Sequence, residues 1–355
     1  MSIIPEKMRG VYLNGHGSFD VLEIREDIPV PSPGPTEVLI KVGAAAINNT
    51  DINTRLAWYS KSGNDSEDAT WSGNAIEFPR IQGADVCGRI VAVGKDVKED
   101  RLNERVLIEP CLRRAKGETL PQSWYFGSEC NGGFAEYTVV DSEHAYKINS
   151  KLKDVELASF PCSYSTAENM LTRANVGKKD TVLITGASGG VGSAAVQLAK
   201  ARGAKVIGIT SESKVSDILN LGADEVLLRD KSIVSTLGVD RIDVVIDLAA
   251  GKQFPELIEA LKPFGRYVVA GAIAGPHVEL DVRRLYLKDL SFFGCTVLEK
   301  NVFSNLVSHI ESGNIKPLVS NIFSLEEIVD AQKAFLAKKH IGKIVLKVSR
   351  NKDEE

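Results

Sequence analysis

No C-x-x-C pair occurs in the 355-residue chain, and its five cysteines (Cys87, Cys111, Cys130, Cys162, Cys295) are odd in number and scattered. That spacing fits reduced thiols better than a disulfide framework, with a cytoplasmic location as the expectation. No run approaches the roughly 18 apolar residues of a bilayer-spanning helix. The opening stretch MSIIPEKMRGVYLNG lacks an apolar core of signal-peptide length. Positive charge is not in excess either: 43 basic side chains face 47 acidic ones, for a net charge of −4. Without a basic field or stripe, nucleic acid is not an expected partner, and neither is a membrane. The five histidines show no metal-ligand spacing. What remains is a chain of ordinary globular composition, 43% hydrophobic and 25% charged, long enough for two domains.

Two halves follow different grammars. From about residue 8 to 145, short apolar or alternating runs (VLEIRE, EVLIKVGAAAIN, GRIVAVG, RVLIEP, FAEYTVV) are separated by Pro, Gly and Asp turns, which predicts a mostly β region. From 180 to 295 come six nearly continuous apolar strands: DTVLIT, AKVIGIT, DEVLLR, DVVIDLAA, GRYVVAG and SFFGCTV. Helical stretches such as VGSAAVQLAKARG lie between several of them. Continuous runs imply burial on both faces, and the alternation implies parallel crossovers, hence a doubly wound α/β sheet. The tail then returns to alternation in KIVLKV, so the first domain is expected to be discontinuous: 1–158 with 302–355, around a nucleotide-binding domain at 159–301. The polar segment SKSGNDSEDATWSGN, residues 60–74, is expected to be a mobile loop.

After DTVLIT comes Gly186-Ala187-Ser188-Gly189-Gly190-Val191-Gly192, opening the next helix. Side chains in such a turn would keep backbone N–H groups from a pyrophosphate, and the helix N-terminus adds partial positive charge. The following strand ends in Thr210, Ser211, Glu212, Ser213 and Lys214. Hydroxyls and an ammonium suit a 2′-phosphate, so NADPH is the expected cofactor, with Ser211, Lys214 and Arg229 around its ribose phosphate; Glu212 argues the other way.

The ordered segments PGPTEVLIKVGAAAINNTD, FPRIQGADVCGRIVAVG, GGFAEYTVV, VLITGASGGVGSAAVQLAKARGAKVI and HIGKIVLKV resemble the medium-chain dehydrogenase/reductase superfamily, over essentially the whole chain. Within it the chain looks most like the zinc-free quinone oxidoreductase and enone reductase branch. The resemblance implies a Rossmann doubly wound sheet plus a mostly β GroES-like domain. It also implies a homodimer or homotetramer that acts on a small molecule. In the zinc members a Cys, a His and a second Cys hold the catalytic metal; here the matching positions are Asn48, Ala84 and Cys162. One thiol cannot make a site that needs three protein ligands, so no metal is expected. Only Cys111 and Cys130 stand where the family's structural zinc lobe has four Cys, and two unpaired thiols are the expectation there.

Without the metal's charge stabilisation, a quinone or an α,β-unsaturated carbonyl is an easier hydride acceptor than an alcohol is a donor, because conjugation spreads the negative charge. Asn48 is expected near the nicotinamide, Tyr59 as proton or hydrogen-bond donor or as an aromatic wall, and Thr50 as the alternative donor. Asn53 departs from a Tyr found in that branch. Thr166, Gly271 and Ile273 correspond to positions along the nicotinamide, and Cys162 to a pocket-wall thiol. Trp58, Trp71, Trp124 and Tyr164 are candidates for a shared aromatic cavity. An alcohol or aldehyde dehydrogenase, and a non-catalytic NADPH-binding protein, are the alternative readings.

Overall fold

The computed structural model describes residues 4–60 and 69–350, and resolves the chain into two compact units. The first comprises Met1–Cys162 and Pro317–Glu355; the second comprises Ser163–Lys316. The first unit is discontinuous, and both of its boundaries fall later than expected: it ends at Cys162 rather than 158 and resumes at Pro317 rather than 302. The return to the first unit falls after helix Val302–Glu311 rather than before it. That helix buries Val302, Phe303, Leu306 and Ile310. Just beyond it, the carbonyl of Lys316 accepts from the Tyr164 hydroxyl at 2.9 Å, while its N–H donates to Gln197 Oε1 at 2.8 Å. These bonds fasten the segment to the second unit.

In the first unit a seven-stranded sheet runs in the order Val319–Ser324, Lys343–Lys347, Glu37–Ala46, Asp85–Val93, Arg105–Ile108, Ala145–Lys147, with Tyr137–Asp141 paired to Glu37–Ala46. Val38, Ile40 and Val42 enter the core with Ile90, Val106 and Ile344, as β-branched side chains on a pleated face do. Two hairpins complete it: Lys7–Leu13 with Leu22–Pro29, and Cys111–Ala115 with Glu118–Tyr125. The second hairpin was not foreseen in the sequence. It stands where zinc would hold a lobe, and a buried polar network holds it instead. Glu109, fully buried, takes both Arg113 guanidinium nitrogens at 3.0 and 2.9 Å and His144 Nδ1 at 2.9 Å. His144 Nε2 accepts from the N–H groups of Arg113 and Arg114. Neither Cys111 nor Cys130 forms a disulfide.

The second unit carries six strands, every neighbouring pair parallel: Glu225–Leu228, Lys205–Thr210, Thr181–Ile184, Ile242–Asp247, Leu261–Val269, Ser291–Gly294. Read in chain order this is the 3-2-1-4-5-6 arrangement of a dinucleotide fold, with its order reversing between the third and fourth strands of the path. Val182, Leu183 and Ile184 are fully buried, as continuous apolar strands covered on both faces must be.

Candidate functional site

At the reversal point of the second unit's sheet, strand Thr181–Ile184 ends in the glycine turn and helix Gly190–Ala201 begins. Gly186 has φ +58, and a Cβ on Gly192 would lie 2.1 Å from the Gly186 carbonyl oxygen. Backbone therefore occupies the space a side chain would need, and the turn stays shallow and open. Gly186 and Gly189 are exposed, Ser188, Gly190 and Val191 half-buried, and Gly192 is buried under the helix. This is a cradle that fits a pyrophosphate: exposed backbone with no Cβ, at a helix start.

The end of strand Lys205–Thr210 leads through Ser211 into the short turn Glu212–Lys214. Burial and then the nearby positive charge of Arg229 hold the Lys214 ammonium below its ordinary pKa. Two cations thus converge beside Ser211, while Glu212 points to solvent. Gly271 is hemmed by the Leu248 carbonyl, 2.8 Å from where a Cβ would stand. Ile273 is 63% exposed, a large apolar side chain mostly open to solvent. Thr166 is the one half-buried position between residues 161 and 171, all others there being buried.

The first unit holds the other group of residues. Strand Glu37–Ala46 runs through Ile47 to Asn48, which caps helix Asn49–Arg55. Asp51, at the third helical position, accepts the Asn48 N–H at 2.8 Å and the Gly83 N–H at 3.1 Å. Burial pushes the Asp51 carboxyl up to about 7 despite those bonds. The Asn48 side chain is 5% exposed and fully engaged. Its Nδ2 donates to Asp85 Oδ2 at 2.9 Å, and its Oδ1 accepts from the Lys343 ammonium. Lys343 also pairs with Asp85 at 2.8 Å and donates to the Ile47 carbonyl at 2.9 Å. Asp85 Oδ1 receives the Cys162 N–H.

Neither Asp85 nor Lys343 was among the residues singled out from the sequence. Their signal was there: one acidic residue inside the apolar run QGADVCGRIVAV, and a lysine at the head of the apolar run KIVL. A charge in a buried strand is costly unless paired, so two such charges of opposite sign are candidates for each other.

Ala84 packs with Tyr125 and Cys162, and Trp71 closes over them, its ring 5.0 Å from that of Tyr125. The Tyr125 hydroxyl and Cys162 sulfur are 2.8 Å apart. Burial, then the Asp85 charge, push the Cys162 thiol up to about 12. These residues do not fit a catalytic zinc ion. The first position offers a carboxamide oxygen already held by an ammonium, the second a methyl group, the third a protonated thiol on a phenol. Among the described residues, no three His, Cys, Asp or Glu side chains are grouped to hold a metal ion.

Tyr59 is half-buried, and Thr50 and Asn53 hydrogen-bond its oxygen; burial raises its phenol above the ordinary value. The Asn that departs from the family pattern is thus a direct partner of Tyr59. Trp58, 51% exposed, meets Tyr59 edge to face at 5.4 Å.

Two expectations need correction. Tyr164 lines no aromatic cavity: it is fully buried in the second unit, donating to the Lys316 carbonyl and accepting from Gln197 Nε2 at 2.9 Å. Trp124 packs on the first unit's core beside Leu112 in the unforeseen hairpin. The segment 60–74 is likewise not one mobile loop. Residues 61–68 lie outside the described residues, but 69–74 form a fixed turn. Ala69 and Thr70 are buried, and Glu129 takes the N–H groups of Ser72 and Tyr125, each at 2.7 Å.

The sequence pattern of the alcohol dehydrogenase GroES-like domain matches residues 34–150, and that of the zinc-binding dehydrogenases residues 190–312. The acryloyl-coenzyme A reductase of Sulfurisphaera tokodaii is 30% identical over 332 residues, covering 91% of this chain and 95% of its own. The human quinone oxidoreductase is 29% identical, with 92% and 93% covered. A solved structure from Sinorhizobium meliloti, named provisionally as an alcohol dehydrogenase, superposes with a TM-score of 0.90 at 42% identity, covering 97% of each chain. A GroES-like unit joined to a Rossmann unit, with these relatives, defines an oxidoreductase fold. The chain belongs to the medium-chain dehydrogenase/reductase superfamily.

Proposed function

We propose that this protein is a zinc-independent, NADPH-dependent oxidoreductase that transfers hydride to a quinone or an α,β-unsaturated carbonyl. The observation that carries the reading is the state of the three metal-ligand positions: Asn48 engaged by Lys343 and Asp85, Ala84 without a donor, and Cys162 on the Tyr125 phenol. A site without a Lewis acid suits acceptors that delocalise their own charge. NADPH supplies the hydride when bound, and the glycine turn from Gly186 to Gly192 supports its pyrophosphate. Lys214 and Arg229 supply the positive charge that a 2′-phosphate would neutralise, with Ser211 as a further donor. In the first unit, Tyr59 and Thr50 share a hydrogen bond, so a proton lost to a reduced oxygen by the phenol has a hydroxyl beside it for replacement.

That same hydroxyl favours a second reading, an alcohol or aldehyde dehydrogenase that deprotonates its substrate through Thr50. Nicotinamide absorbance separates the two, followed as its loss with NADPH or NADH against quinones, enones and aldehydes, and as its gain with NADP+ or NAD+ against alcohols. The proposal expects NADPH oxidation by quinones or enones, and a Tyr59→Phe variant slowed about 10²-fold, the scale of one general acid. Turnover with aldehydes and alcohols alone would favour the second reading. NADPH binding without any turnover would favour a non-catalytic protein. A cytoplasmic location accords with five cysteines that form no disulfide; no helix among the described residues is long and apolar enough to cross a membrane. Assembly as a homodimer or homotetramer accords with the free edge of strand Ser291–Gly294, where Phe292 is 38% exposed.

A further inference from the structure

We infer that Lys343 is the positioning residue of the first unit's site, its buried ammonium holding Asn48, and through Asp85 also Cys162, in their working orientation. The inference rests on the reading that Thr50 and Tyr59 serve the substrate.

The three ammonium protons have three acceptors: Asp85 Oδ2 at 2.8 Å, the Ile47 carbonyl at 2.9 Å, and Asn48 Oδ1. Asp85 spends its second oxygen on the Cys162 N–H, and shares its first with Asn48 Nδ2. Four segments distant in sequence therefore meet at one ion pair: the end of strand Glu37–Ala46, the start of strand Asp85–Val93, Cys162, and the start of strand Lys343–Lys347. Lys343 is 2% exposed and Asp85 fully buried, so water does not replace any of these bonds. A compact ammonium suits acceptors lying in three directions, whereas the planar fork of an arginine does not.

The consequence reaches the reacting groups through the chain. Asn48 is the residue from which helix Asn49–Arg55 starts, and that helix carries Thr50 in its first turn and Asn53, both partners of Tyr59. The carboxamide is fixed at both ends. With Lys343 gone, Oδ1 loses the ammonium, Asn48 is held by its Nδ2 bonds to Asp85 and the Ala46 carbonyl alone, and the helix start loses one of its ties to the sheet. The nucleotide cradle, in the other unit, keeps all its own bonds.

The test is a double-mutant cycle of Lys343→Met, Asp85→Asn and the two combined, because either single change leaves a polar group stranded in the core. Thermal unfolding is expected to show both single variants lowered in Tm and the double variant largely recovered. In that double variant kcat is expected to fall about a hundredfold, the loss that an ångström of misplacement costs, with KM for NADPH within about twofold of the starting protein. Amide hydrogen exchange gives a readout independent of turnover: it should rise across residues 48–59 and stay unchanged across helix Gly190–Ala201. A double variant with recovered Tm, unchanged kcat and unchanged exchange over 48–59 would make the pair a structural tie only and overturn the inference. Strictly additive Tm losses would overturn it as well. Absence of turnover in the unmodified protein would sink the functional reading alone, while the exchange pattern would still decide the role of Lys343.

Discussion

The two units treat their inherited sites in opposite ways. In the second unit the glycine turn is retained intact, because its job is done by backbone: N–H groups, a helix start and the absence of Cβ atoms. In the first unit only Cys162 keeps the donor of the family's three metal-ligand positions, while Asn48 and Ala84 replace the other two, because that job is done by side chains. A carboxamide on a lysine, a methyl group and a thiol on a phenol now fill the same ground. Backbone sites are tolerant of their neighbours and intolerant of side chains. Side-chain sites keep their scaffold while their chemistry is exchanged.

The contrast can be broken first at the turn. Gly192→Ala sets a Cβ 2.1 Å from the Gly186 carbonyl oxygen, a backbone atom that cannot swing aside. We expect a loss of about 1–3 kcal/mol in stability, the scale of an overpacked site, together with failure to bind either nucleotide. Unfolding curves and cofactor fluorescence check both; a variant binding NADPH normally would mean that the turn is not the cradle.

A smaller effect sharpens the cofactor assignment. Lys214→Ala removes one of two converging cations, and should weaken NADPH about tenfold or more, the worth of one charged hydrogen bond, while leaving NADH unchanged. Equal weakening of both would put Lys214 elsewhere than at the 2′-phosphate.

A pH-dependent effect concerns the first unit alone. Burial raises the Asp51 carboxyl to about 7, above the value of about 3.9 for an unfolded chain. Between those values the native state keeps a proton that the unfolded state has released. Stability from this group is therefore full at low pH and is lost as pH rises towards 7, by at most about 1.4 kcal/mol per pH unit. Asp51→Asn should flatten the fall of Tm between about pH 4 and 7; parallel curves for the two proteins would show that Asp51 is ionised throughout.

Most of the fold was legible because it is written in periodicity. Continuous apolar strands such as TVLI and VIGIT can only be buried on both faces, and the glycine turn sits directly behind one of them. The hairpin Cys111–Tyr125 was not legible, since its strands read CLRRA and ETLPQSWY, without alternation, and its anchor is the polar trio Glu109, Arg113 and His144 from separate segments. The site was half legible. Asn48, Ala84 and Cys162 could be found by position, and Tyr59, Thr50 and Asn53 do come together. The ion pair of Asp85 with Lys343 spans 258 positions of sequence, and only the folded sheet brings its halves into contact. Tyr164 was misassigned because an aromatic in a helix gives the same signal whether its hydroxyl meets a ligand or, as here, a carbonyl of its own chain.

The account turns on the claim that this site works without a metal. Turnover of NADPH with a quinone or enone, measured before and after exhaustive dialysis against a strong chelator, with metal content determined on the same samples, tests it most directly. The account predicts equal turnover in both samples and less than stoichiometric zinc in either. Stoichiometric zinc whose removal abolishes turnover would contradict it.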